Sequence, residues 1–195
     1  MKHLLAVCLL CLTPTLHAQA ADLDALQSRC LPAAPRSTLR AIIQVESGGN
    51  PNAMQIDFPK ALLKQWKLPS GTLRLKRQPT NQQEALEWLA YFQRSHVFVD
   101  LGLMQVSTAE AQRRGISPMS LLDPCTNLRV GWQILENSYK VEVASYGPGQ
   151  TALEHAISIY NTGNSQQGID NGYLDRVVDA ARRLGVDANP KGLAR

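Results

Sequence analysis

Leu39, Ile42, Ile43 and Glu46 fall at i, i+3, i+4 and i+7, a spacing that places one carboxyl on the apolar face of a helix. A carboxyl at the end of an apolar stripe resists ionisation, so it keeps a proton at neutral pH and suits general acid catalysis. The alternative at this spacing is a helix-end Glu turned into water. Ser47 follows it, either to orient the carboxyl or to cap the helix end. In the segment Asp100 to Ser107, Gly102 lets the backbone approach a ligand and the Gln105 amide can both donate and accept. Met104 offers a flexible apolar wall, while Leu101, Leu103 and Val106 read as core. Tyr160 and Asn161 close an apolar stripe just before Thr162-Gly163, which aims their polar groups at a cleft. For Tyr160 the alternative is a core aromatic with a satisfied hydroxyl. His96 and His155 stand apart from any Cys or His cluster, so neither a metal nor another cofactor is expected.

The elements that must carry these groups read as helices separated by punctuation, giving a mainly α domain. Ser37 is the expected N-cap of the Glu46 helix, and Gly48-Gly49-Asn50-Pro51 ends it. Asn50 to Asp57 reads as turn, Lys60 to Trp66 as a short helix, and Thr72 to Lys76 as a short strand. Thr80 with Gln83 forms a capping box for a helix whose apolar surface comes from Ala85, Leu86, Leu89, Tyr91 and Phe92. Val97 to Val106 is an apolar loop or extended stretch, and Ser107 with Glu110 caps a short helix that stops near Gly115. Ser117-Pro118 and Asp123-Pro124 each read as an N-cap followed by Pro at the first helical position. The second opens a long helix with Cys125, Leu128, Trp132, Leu135 and Tyr139 on one face. Gly147-Pro148-Gly149 separates it from the stripe Ala152, Leu153, Ala156, Ile157 and Tyr160. Gly172 to Leu184 forms a last helix with Val177, Val178 and Ala181 inward, and Tyr173 reads as helix packing, with the groove as the alternative.

Residues 1–20 read as a signal peptide: Lys2 and His3, then the apolar run Leu4 to Leu12, then Ala18-Gln19-Ala20 as the cleavage site. The domain is expected over 21–186, with a mobile polar tail at 187–195. Cys8 and Cys11 lie in the leader, and neither stands where lipidation would need it. Cys30 and Cys125 remain, a lone pair that in an exported chain reads as one disulfide. Losing the leader removes Lys2 alone among the charged residues and lowers the formal charge from +4 to +3. So weak a bias fits work on an anionic polymer and argues against nucleic acid as a partner. No later segment reads as membrane-spanning, and the length suits one monomeric domain with a real core.

Taken in order, "VESGGNP" at 45–51, "DLGLMQVS" at 100–107, "DPCTNL" at 123–128, "ISIYNTGN" at 157–164 and Gly172-Tyr173 form an ordered set. With these the chain resembles the lytic transglycosylases of the lysozyme-like superfamily, in particular the small exported ones associated with type IV secretion and conjugation. The resemblance runs from about Cys30 to Tyr173. It implies a lysozyme-like, goose-type or SLT-like fold, a periplasmic location, and peptidoglycan glycan strands as substrate. Glu46 is then the catalytic acid and afterwards the base, with the muramyl C6 hydroxyl closing a 1,6-anhydro end on the cleaved MurNAc-β-1,4-GlcNAc bond. Gln105, Met104 and Asn161 are implied to meet sugar, Tyr160 to hydrogen-bond near the acid, and Ser47 to lie beside it. The resemblance also implies partners in a secretion or conjugation machine. Two rival readings stay open: a hydrolase that uses water, with Asp57 or Asp100 as a second carboxylate, and a glycan-binding assembly factor. Residues 58–99 exceed a minimal lysozyme-like core and read as either a groove wall or a docking element.

Overall fold

A computed structural model describes residues 16–57, 64 and 73–185. Helix α1 (Leu16–Cys30) leads through a short turn to α2 (Arg36–Glu46), which buries Leu39, Ile42 and Ile43 as the periodicity requires. The cap differs from the sequence expectation: α2 starts one residue before Ser37, after Pro35, with no side-chain cap. The fixed φ of Pro35 orients the chain for the first turn in place of a capping hydroxyl.

Where turn was expected, Met54–Asp57 forms strand β1, and β2 (Leu73–Arg74) confirms the short strand of the 70s. With β3 (Phe98–Leu101) and β4 (Val106–Ser107) they make an antiparallel sheet in the order β2-β1-β3-β4. Register pairs Gln55 with Arg74 on one side and with Asp100 on the other. The expected helix at 60–66 and the tail at 187–195 lie outside the described residues, Lys64 apart, as does the leader through residue 15. Residues 16–20 of the leader are helical and continue into the rest of α1.

Helix α3 (Gln82–Arg94) begins one residue later than the expected box. Asn81 accepts from the Glu84 N–H, and the Glu84 carboxylate returns to the Thr80 N–H and hydroxyl. Ala85 and Leu89 face the core, but Tyr91, expected to supply apolar surface, is 60% exposed. The short α4 (Thr108–Arg113) is capped by Ser107, which accepts from the Ala109 N–H. Glu110 instead pairs with Arg113 and Arg114, so the reciprocal half of that box is absent. A 3-10 turn at Pro118–Leu122 precedes the long α5 (Pro124–Tyr146), whose N-cap Asp123 accepts from the Thr126 N–H as expected.

Helix α6 (Gln150–Thr162) packs along α5, the short α7 (Gln167–Asp170) packs on α6, and α8 (Tyr173–Arg183) packs on α2. Val177 and Ala180 are the buried aliphatics of α8, while Val178 and Ala181, expected inward, are only partly covered. Cys30 and Cys125 form the expected disulfide and tie the end of α1 to the first turn of α5. Arg129 reinforces the join by donating to the Cys30 carbonyl at 3.1 Å. Among the described residues, no helix is long and apolar enough to cross a membrane.

Candidate active site

The last residue of α2 is Glu46, and the chain turns sharply through Ser47 to Asn50 behind it. Ser47 is committed to that turn: its hydroxyl donates to the Leu103 carbonyl at 2.8 Å and accepts from the Gly49 N–H at 3.2 Å. The hydroxyl therefore fastens the acid's helix to the 102–105 turn instead of aiming at the carboxyl.

That turn joins β3 to β4 and is held from beneath by Asn127 of α5, a fully buried side chain. Its amide nitrogen donates to the carbonyls of Leu101 and Leu121 at 2.7 and 3.0 Å, and its oxygen accepts from the Met104 N–H at 2.8 Å. Gly102 sits at φ +76°, and a Cβ there would lie 2.5 Å from the Asn127 amide. Only glycine satisfies both the left-handed backbone and the close approach. Asn127 was legible as part of "DPCTNL", but nothing local revealed which turn it holds.

Gln105 occupies φ +47°, an unusual setting for a residue with a Cβ. Its amide nitrogen donates to the carbonyls of Gly102 and Ala53 at 2.9 and 3.1 Å, leaving the amide oxygen to offer a ligand. Gln105 and Glu46 line the same small open cavity of about 40 Å³. Ala53, Met54 and Gln55 of the β1 region line it as well, together with Ser47, Asn50 and Gln78. Glu46 is the single carboxylate among these lining residues. Asp100 lies on β3 opposite Gln55 and Ser107, and Asp57 ends β1 opposite Phe98.

Tyr173 supplies the partner of the acid. Its hydroxyl donates to Glu46 Oε1 from the first position of α8, and its ring is 2% exposed. Arg176, one turn on, holds its guanidinium 5.5 Å from the centre of that ring. Burial pushes the Glu46 carboxyl from 4.5 up to about 7, against the opposing effects of the Tyr173 hydrogen bond and the Arg176 charge. Burial and the nearby Glu46 charge both push the Tyr173 hydroxyl well above the ordinary phenolic range, so it remains a donor.

Three sequence expectations, those for Tyr160, Met104 and Tyr173, need correction here. Tyr160 does not bond to the acid: its buried hydroxyl donates to the Met104 carbonyl at 2.6 Å, so it braces the turn. Met104 is fully buried, with its side chain lodged where a Cβ on Gly131 would come within 2.8 Å, and it presents no wall to a groove. Asn161 is exposed and accepts from the Asn171 amide at 3.2 Å, and it is not among the residues that line this cavity. Tyr173, read as helix packing with the groove as the alternative, is the hydrogen-bond donor to Glu46. The signal for it was a tyrosine on a buried helix face, whose hydroxyl must find a partner.

Residues 27–174 match the family described as Transglycosylase SLT domain. The chain is 31% identical over 173 residues to Protein virB1 of Agrobacterium fabrum, covering 88% of this chain and 64% of that protein. It is 32% identical over 162 residues to Type IV secretion system protein virB1 of Brucella abortus, covering 80% of this chain and 62% of that one. The chain thus spans a little under two thirds of the length of these curated relatives. No solved structure gives a significant match.

Proposed function

The chain belongs to the Transglycosylase SLT domain family, and from that premise we propose that it cleaves the MurNAc-β-1,4-GlcNAc bond of peptidoglycan without water. The observation that carries the reading is a buried Glu46 that retains its proton to about pH 7 as the one carboxylate among the described lining residues. Tyr173 engages Oε1, so Oε2 carries the transferable proton to the glycosidic oxygen. The C1–O bond breaks with its electron pair on the leaving oxygen, and the new carboxylate is stabilised by the Tyr173 donor and the Arg176 charge. Glu46 then takes the proton of the muramyl C6 hydroxyl as that oxygen bonds to C1. The acid is regenerated and a 1,6-anhydro end is formed, with no second carboxylate in the cycle.

The apolar leader and the Cys30–Cys125 disulfide support action in an oxidising compartment outside the cytoplasm, where the wall lies. The secretion-system name of the Brucella relative supports a role in opening the wall locally for a type IV secretion or conjugation apparatus. Mass spectrometry of a glycan digest tests the chemistry. The expected fragments end in anhydromuramic acid, one water lighter than hydrolysis products. Water-added ends would make the protein a hydrolase, and glycan binding by an intact wild type that cuts nothing would make it an assembly factor.

A further inference from the structure

Gln78 belongs to the segment between β1 and α3 that a minimal lysozyme-like core does not need, yet it lines the cavity that holds Glu46. Among the described residues, strand β2 pairs with β1 at Gln55 and Ile56, and the outer edge of Met54 has no strand partner. The Gln78 carboxamide takes that place, accepting from the Met54 N–H at 2.7 Å and donating to the Met54 carbonyl at 3.0 Å. Arg77 beside it is fixed by an ion pair to Glu84 at 2.5 Å and by stacking 4.6 Å from the centre of the Trp88 ring. Gln78 is thereby held rigid, and its Nε2 retains one hydrogen that Met54 does not use. Gln55, next along β1 and half-buried in the same cavity, forms no side-chain hydrogen bond among the described residues.

Resting on the glycan-cleaving reading above, we propose that Gln55 and Gln78 form a carboxamide wall that selects a sugar bearing a 2-acetamido group. A planar trans amide points its N–H and C=O in opposite directions, so one side chain cannot serve both ends. Two carboxamides can: the spare Gln78 N–H donates to the acetamido carbonyl, and Gln55 Oε1 accepts from the acetamido N–H. Such an arrangement discriminates against sugars with a hydroxyl at that carbon, because they leave partly buried amide groups unpaired. The Gln78 end depends on the latch to Met54, whereas the Gln55 side chain has no hydrogen bond to lose among the described residues.

Calorimetric binding of tetra-N-acetylchitotetraose and of cellotetraose, two uncharged β-1,4 tetramers, tests the wall. Wild type should prefer the acetylated tetramer, and Gln55→Leu should reduce that preference by roughly tenfold while leaving cellotetraose affinity within about twofold. Gln78→Leu should reduce it similarly, with unfolding curves used to separate any loosening of β1. Equal weakening of both tetramers in Gln55→Leu, or no change in either, would overturn the proposal even if the digest shows anhydro ends. An anhydro-free digest with the preference intact would remove the reaction and leave the wall standing. If wild type binds neither tetramer, the wall is refuted directly.

Discussion

Replacing Glu46 with Gln should abolish cleavage and yet stabilise the protein at alkaline pH. In the unfolded chain the carboxyl loses its proton near 4.5, whereas in the fold it holds the proton to about 7. Between those values the native state binds more protons than the unfolded state, so stability falls as pH rises through that window and is level above it. At 1.36 kcal/mol per pH unit, the difference amounts to about 3 kcal/mol in wild type at pH 8 relative to pH 4. Gln is neutral at every pH and can still accept from Tyr173, so the variant escapes this loss. Urea unfolding at pH 4 and pH 8 reads the effect directly. The two proteins should be nearly equal at pH 4, with the variant ahead by about 3 kcal/mol at pH 8. For a chain of this size that corresponds to roughly 6–12 °C in Tm. Stability curves that run parallel between pH 4 and 8 would refute the buried-acid argument whatever the variant does to activity.

Tyr173→Phe removes a hydrogen bond that favours the ionised carboxyl, so the alkaline limb of kcat/KM, set near 7 in wild type, should move up by roughly one to two pH units. A pH profile of glycan cleavage checks the direction, and a downward move would contradict the assigned donor. Asn127→Ala strips partners from the Leu101 and Leu121 carbonyls and the Met104 N–H, and should cost about 2–5 kcal/mol in urea unfolding. Activity per folded molecule should fall with it, because the turn bearing Gln105 loses its support.

Local signals served wherever a neighbour in sequence decides the outcome. The stripe of Leu39, Ile42 and Ile43 placed Glu46 at the end of a buried helix face and Asp123-Pro124 marked the start of α5, whereas the two cysteines, 95 residues apart, were paired because no others lie outside the leader. The strand Met54–Asp57 was read as turn because its four residues follow Asn-Pro-Asn-Ala, and pairing with β3 supplies what propensity does not. Met104 was assigned to a groove on residue type and resemblance, and Tyr160 on its place at the end of an apolar stripe, but Gly131 opens a slot on α5 that takes the methionine inward. The tyrosine then lies beneath the turn and braces its carbonyl. The Tyr173 bond to Glu46 was invisible for a plainer reason: a hydroxyl carries no mark of the carboxyl it will meet.

That bond joins residues 127 positions apart. Contacts so distant in sequence carry a high loop-closure cost and are favoured only after intervening structure has shortened the route between their ends. On a growing chain, α2, the sheet and the 102–105 turn are all synthesised before α8 exists. A nascent protein can therefore hold every residue that lines the cavity and still lack the donor that orients its acid. Docking of α8 on α2 is what brings the Tyr173 hydroxyl to Glu46, so a chain stopped short of Tyr173 lacks that donor to the carboxyl.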